Sequence, residues 1–475
     1  MPESFFRSRS EWTWCARSAG WFGLVALTTF LACSTSDSAG PGSKEPPSND
    51  GGAPSGDGGT RPGDLFDGGA PEMKASVSQF GITWTFDRPH LVGQFVNGDF
   101  WVVGPVTLRT VSPAPSAGRN GSVVDPAIRK GQGYDDRGLD YDPAPRATFP
   151  LTLSPVSSLV SSISHGNGQC PLGSGGQGYL TYNGVCQGGP VKTQAVLTVV
   201  AAPPPAGAFR PPYAGSAFKP FYSAANIDWA RLPKLPKPAS APTDVEALRH
   251  VERPWIDHML TWTLQHACAT ENMFCYGREI GDVVSDVAQY VLLDTPVQKT
   301  LAVRLAQLGI DNYGIVKNGD SWGGDGGHMN GRKFPIVFAG TLLNDAGMKR
   351  PGVLSGEDVQ TYRGTDGKAH WGAPCTACYL ANGCAYSGSC TNGSKDCRDP
   401  AGKIDGCIDY RNCCTSLVWP GQALAALALH AKADWNHDPF FDYVDRWMSG
   451  DVVGGGDTSS AFVKDMWTKY RNNLP

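Results

Sequence analysis

Asn97-Gly98-Asp99-Phe100-Trp101-Val102-Val103 sets a tight-turn signal directly before an apolar, β-branched run, and Gly81-Ile82-Thr83-Trp84-Thr85-Phe86 stands shortly ahead of it. Asn-Gly supplies the positive backbone angles of a hairpin turn, so the runs on either side read as paired strands. The same texture continues outward through Val106-Thr107-Leu108-Arg109-Thr110, Ser158-Leu159-Val160-Ser161-Ser162-Ile163 and Ala195-Val196-Leu197-Thr198-Val199-Val200. Short alternating or β-branched runs of this kind predict an antiparallel β-sandwich over residues 76–202. A proline-rich connector, 203–242, is expected to wrap over its surface in extended form.

The period then changes. Thr243-Asp244-Val245-Glu246 is a capping box, and Val245, Leu248, Val251, Trp255, Met259 and Trp262 follow at helical spacing. Ile280, Val283, Val284, Val287 and Val291 predict a second helix, and Val297, Leu301, Leu305 and Leu308 a third. Phe334 to Leu343, Gly421 to Ala433, Pro439 to Met448 and Ala461 to Asn472 supply more. The expected class is α+β: an N-terminal sandwich, then an α/α-toroid-like helical domain over 243–475, interrupted by a cysteine-rich insertion at 350–414. A plain helical bundle is the alternative.

Arg7, Arg9 and Arg17 precede an apolar run from Gly20 to Ala32 that is too short to span a bilayer. It reads as the core of an export signal, and Phe30-Leu31-Ala32-Cys33 resembles a lipobox with Cys33 as the acylated residue. Residues 34–75 are too poor in apolar side chains to offset their chain entropy and read as a tether. The protein is thus expected at the bacterial cell envelope, held by lipid alone, or secreted. With Cys15 and Cys33 set aside, the remaining cysteines are even in number, and an oxidising compartment favours disulfides. Cys170 with Cys186 and Cys268 with Cys275 are plausible local pairs, and eight more cysteines crowd between Cys375 and Cys414. A metal knot of Cys375, Cys378, Cys413 and Cys414 is the competing reading, but the spacing lacks the paired repetition of a zinc ribbon. Net charge is −4 with no long basic run, which argues against nucleic acid.

The densest chemical text is Asn318-Gly319-Asp320-Ser321-Trp322-Gly323-Gly324-Asp325-Gly326-Gly327-His328-Met329-Asn330-Gly331-Arg332-Lys333. Its glycines permit tight turns and close approach to a ligand, while acidic, basic and amide side chains gather in one loop ahead of a helix. A phosphate loop is excluded, since Arg332 stands where lysine is needed and no Ser or Thr follows Lys333. The bland reading is a turn with a helix cap. Asp409-Tyr410-Arg411-Asn412-Cys413-Cys414 is a second constellation, in which pinned cysteines would hold Tyr410 and Arg411 rigidly. His437 is expected to be structural; His266 and Tyr276 flank the Cys268 and Cys275 pair.

Gly93-Gln94-Phe95-Val96-Asn97-Gly98-Asp99-Phe100-Trp101-Val102-Val103-Gly104-Pro105, Gly327-His328-Met329-Asn330-Gly331-Arg332-Lys333 and Phe440-Phe441-Asp442-Tyr443-Val444-Asp445-Arg446-Trp447-Met448 are similar to segments of secreted bacterial α/α-toroid polysaccharide lyases. The leading β-domain departs from the toroid-first order of larger lyases. The resemblance implies β-elimination on a uronate-containing polysaccharide. Such chemistry needs a partner for the carboxylate, a base for the C5 proton and an acid for the leaving oxygen, and no cofactor. Asn330 and Arg332 are the expected carboxylate binders and His328 the neutraliser or base. Tyr410 is base or acid, with its pKa lowered by Arg411, while Trp322 stacks on a sugar and Asp325 contacts substrate. A glycoside hydrolase using Asp320 and Asp325, with Glu279 as a further carboxylate, is the first alternative. The second is a non-catalytic glycan-binding lipoprotein that uses Asn97, Asp99 and Trp101.

Overall fold

The computed structural model describes residues 69–128, 131–138, 140–166, 181–182, 185–186, 189–260, 268–274, 277–322, 327–352, 355–372, 411–412 and 414–474. The chain is mixed α+β, a curled sheet followed by a helical region.

The main sheet has eight strands, in the order β5 (Ser122–Val124), β7 (Ser157–Ser164), β10 (Val191–Val200), β3 (Phe100–Val103), β2 (Ile82–Gln94), β4 (Val106–Ser112) and β6 (Leu151–Leu153), with β1 (Glu72–Gln79) also on β2. β8 (Thr181–Tyr182) and β9 (Val185–Cys186) form a separate hairpin. The expected hairpin forms: β2 pairs antiparallel with β3 across Phe95–Asp99, where Phe95 N–H donates to the Asp99 carbonyl at 2.9 Å. Two expectations are corrected. The sheet is a single curled half-barrel in place of a two-sheet sandwich, and β10 runs parallel to β3. The reason lies in β10, which is buried on both faces: Ala195, Leu197 and Val199 join the core inside the curl, while Val191 and Val196 pack with the helical region. A strand buried on both faces reads as a continuous apolar run, with a helical layer in place of a second sheet. β1 starts at Glu72, ahead of the boundary expected at residue 76.

The connector, expected on the surface, is buried in part: Phe209, Arg210 and Tyr213 are inaccessible. Prolines remove some of its donors, and the remaining backbone ties it to both layers, through bonds such as Val96 N–H to Ala208 O and Leu235 N–H to Leu292 O, both 2.9 Å. The Thr243–Glu246 capping box forms, but its helix α1 (Asp244–Arg249) is short. Pro254 prevents the helical spacing from continuing as helix, and residues 251–260 run irregularly through the core. Their buried backbone finds side-chain partners: Tyr213 Oη accepts from Asp257 N–H at 2.7 Å, and Trp322 Nε1 donates to Asp257 O at 3.2 Å.

The remaining helices are α2 (Gly277–Tyr290), α3 (Gln298–Lys317), α4 (Lys333–Leu343), α5 (Ala346–Lys349), α6 (Gly356–Val359), α7 (Pro420–Ala428), α8 (Lys432–Trp435), α9 (Asp438–Ser449) and α10 (Ala461–Tyr470); all but the short α5 and α6 fall where apolar spacing predicts helix. The helix expected from Gly421 to Ala433 breaks into α7 and α8 at His430, whose φ is 54°. Strands β11 (Thr361–Arg363) and β12 (Ala369–Trp371) pair beside α9. No described helix is long and apolar enough to cross a membrane.

Candidate functional site

From the described part of the glycine-rich loop, His328, Asn330 and Arg332 turn inward. His328 and Arg332 are 1% exposed, Trp322 2% and Asn330 0%. Arg332 donates from Nε to Asp257 Oδ2 at 3.0 Å and from Nη2 to Asp257 Oδ1 at 3.4 Å, and its Nη1 reaches the carbonyls of His328 and Asn330. Asn330 donates to Cys414 O at 2.8 Å and accepts from Trp419 Nε1 at 3.1 Å. Trp322 lies beneath the Arg332 guanidinium, 5.8 Å from it. Burial, aided by the Arg332 charge, holds the His328 imidazole well below its ordinary pKa, so it is neutral. The sugar-stacking role of Trp322 and the carboxylate-binding roles of Asn330 and Arg332 therefore meet protein partners where substrate was expected. Lys333, which closes the loop, is committed as well, to Asp358 and the Trp435 carbonyl.

Two carboxylates in this network escaped the sequence reading. Asp257 is raised by burial against the pull of Arg332. Glu357 accepts from Gly331 N–H at 2.8 Å and is pushed by burial to about 7. Neither carries a motif; the signal available for Asp257 was only its place after Pro254 in a run too apolar to be surface. His258, adjacent, is lowered by burial to about 3 and packs edge-on to Tyr134 and Tyr213.

The network joins three chain segments. A Cβ on Gly277, the first residue of α2, would lie 2.1 Å from His328 Cα, and one on Gly327 would lie 2.1 Å from Cys414 O. Gly327 also has φ +73°, so only glycine fits both the turn and the contact. The close approach that these glycines permit is to the protein itself. Arg411 is 1% exposed, donates to Val453 O at 3.1 Å and sits 5.7 Å from the Trp447 ring centre. Tyr410 and Asp325 lie outside the described residues, as do Cys33, Cys170, Cys275, Cys375, Cys378, Cys413, His266 and Tyr276. Cys268 and Cys414 are each disulfide-bonded. His437 is half-buried, its Nε2 2.9 Å from Thr361 Oγ1.

Of the carboxylates considered for hydrolysis, Asp325 lies outside the described residues. Asp320 is half-buried. Glu279 shares one face of α2 with Asp282 and Asp286. Burial raises all three, Asp286 to about 7 with help from Asp282, and Ser460 Oγ donates to Asp286 at 2.7 Å. No group of His, Cys, Asp and Glu able to hold a metal occurs among the described residues.

The hairpin residues form a separate locus. Asp99 is buried and pairs with Arg210 at 2.5 Å, which also binds Asp311 at 2.5 Å. Gln79 and Asn97 donate to Asp99 at 3.0 and 2.8 Å. Trp101 is 4% exposed and packs on Phe95, Val200 and Ala208. Asp99 and Trp101 thus face inward, where surface contacts to a glycan were expected; Asn97 is half-buried and lines a narrow cleft between the hairpin, residues 251–255 and α3. The chain matches no family model, no curated protein and no solved structure.

Proposed function

We propose that the chain is an exported enzyme, lipid-anchored through Cys33, that cleaves a uronate-containing glycan by β-elimination. The helical region is read as α/α-toroid-like, with the disulfide-rich insertion at 350–414. What supports this reading is the meeting of Gly277, Gly327–His328 and Cys414 around one buried polar network. These are the chain neighbours of Tyr276, of Asp325 and of the run containing Tyr410. Strongly shifted buried groups such as Glu357 and His328 gather where a protein supports chemistry. Disulfides at Cys268 and Cys414 accord with an oxidising compartment.

Tyr410 takes the C5 proton, the C4–O bond breaks as Tyr410 returns that proton to the leaving oxygen, and a C4–C5 double bond remains in the product. Arg332, fixed by Asp257, holds the His328 and Asn330 carbonyls, and Asn330 ties the loop to Cys414. These are positioning residues, since their polar atoms face protein. The test is a pair of variants in the full chain. Tyr410→Phe abolishes unsaturated product while Asp325→Asn preserves it; the opposite pattern, with reducing ends released, assigns hydrolysis instead, and indifference to both assigns a binding protein.

A further inference from the structure

Glu357 is inaccessible to solvent and meets the glycine-rich loop through one hydrogen bond, from Gly331 N–H to Oε1 at 2.8 Å. Its second oxygen, Oε2, is buried with only the Ser355 hydroxyl facing it, outside hydrogen-bond geometry. The charged and titratable groups around this carboxyl are Asp358 beside it, Arg332 and Lys333 on the loop, and His437 behind Thr361. Arg332 is taken by Asp257, Lys333 by Asp358, and His437 bonds to Thr361, so no cation offsets a charge on Glu357. A buried carboxylate with one hydrogen bond and no counter-charge is costly, and a neutral carboxyl in the same place is not.

The turn that carries Glu357 touches the loop at a second point. Gly356 lies so close to it that a Cβ there would stand 2.1 Å from Asn330 Oδ1. Asn330 is the tie between segments, donating to Cys414 O at 2.8 Å and accepting from Trp419 Nε1 at 3.1 Å. A displacement of residues 355–357 therefore reaches Cys414 and Trp419 through one amide. We propose that Glu357 is a proton-operated latch: neutral, it holds Gly331 and seats Asn330 on Cys414 and Trp419; ionised, it releases this junction. Burial raises the Glu357 pKa to about 7, which sets the change near neutral pH, closed on the acid side and open on the alkaline side.

The indole N–H of Trp419 reports the junction directly, and Trp419→Phe identifies its resonance in the NMR spectrum of the full chain. Its protection from hydrogen exchange, corrected for the intrinsic pH dependence of exchange, falls about tenfold or more from about pH 5.5 to about pH 8.5, with its midpoint at the Glu357 pKa. Glu357→Gln keeps an acceptor for Gly331 N–H but cannot ionise, so its protection stays level. Asp286→Asn removes the other buried carboxyl raised to about 7 and leaves the fall in place. Level protection in the parent, a fall that persists in Glu357→Gln, or one that disappears in Asp286→Asn overturns the latch. Where Glu357→Gln does not fold, carboxyl-carbon NMR titration of the parent decides: a shared midpoint for Glu357 and the Trp419 proton supports the latch, and separate midpoints overturn it. Neither measurement needs turnover, so the result is independent of the elimination reading.

Discussion

At the scale of single residues, the polar groups that look reactive in the sequence are mostly spoken for. Arg332 and Asp257 are 75 positions apart in the chain and bonded in the core, which no local pattern could reveal. Asp257→Ala leaves the Arg332 charge buried and uncompensated, and chemical denaturation is expected to show a loss of about 3–5 kcal/mol. Glu357 gives a pH signature. Its folded pKa of about 7 lies above the ordinary 4.5, so the native state holds a proton that the unfolded chain has released. Stability from this group is present below pH 4.5 and is lost as pH rises to about 7, in the same direction as Asp286. Glu357→Gln keeps an acceptor for Gly331 N–H and flattens that slope; thermal melts from pH 4 to 8 on parent and variant measure it, and parallel curves would contradict the assignment.

At the scale of elements, the strands and long helices were legible because burial imposes periods of two and 3.6 on the chain. The runs read at Ile82–Phe86, Phe100–Val103 and Ala195–Val200 all lie in strands, and those at Ile280–Val287 and Phe334–Leu343 in helices. Legibility failed where one strong local rule overrode the period. Val251, Trp255 and Met259 keep helical spacing and are buried, yet Pro254 denies them a helix. The glycine-rich loop reads as a place where backbone approaches a ligand; at Gly327 the neighbour is the Cys414 carbonyl. Gly327→Ala must displace Cys414 O and adopt φ +73°, a strain of order 1–3 kcal/mol, so the variant melts lower than the parent. An unchanged melting temperature would show that this junction yields easily.

At the scale of the whole molecule, sheet and helices share one continuous core: Val96, Val123, Val160, Val191 and Val196 pack in the same cluster as the residues of α2, α3 and α4. The connector was read as a surface strap because prolines mark exposed segments; its Arg210, neutralised by Asp99 from the hairpin and Asp311 from α3, makes it an internal clamp instead. A chain ended at residue 202 exposes the helix-facing side of β7 and β10, and its proton NMR spectrum is expected to lack the dispersion of a folded sheet. A well-dispersed spectrum would establish the sheet as an independent domain. The candidate site was legible only as a concentration of chemistry around 318–333 and 409–414. Which groups face substrate depends on burial, and burial is decided by segments far away in the chain.

The measurement that bears most directly on β-elimination is ultraviolet absorbance of the conjugated C4–C5 double bond, followed while the purified full chain acts on alginate, glucuronan, pectate and glycosaminoglycans. A steady rise is expected on at least one of these polymers, lost in Tyr410→Phe. A flat trace on all four, with the chain folded and its cysteines oxidised, would contradict it.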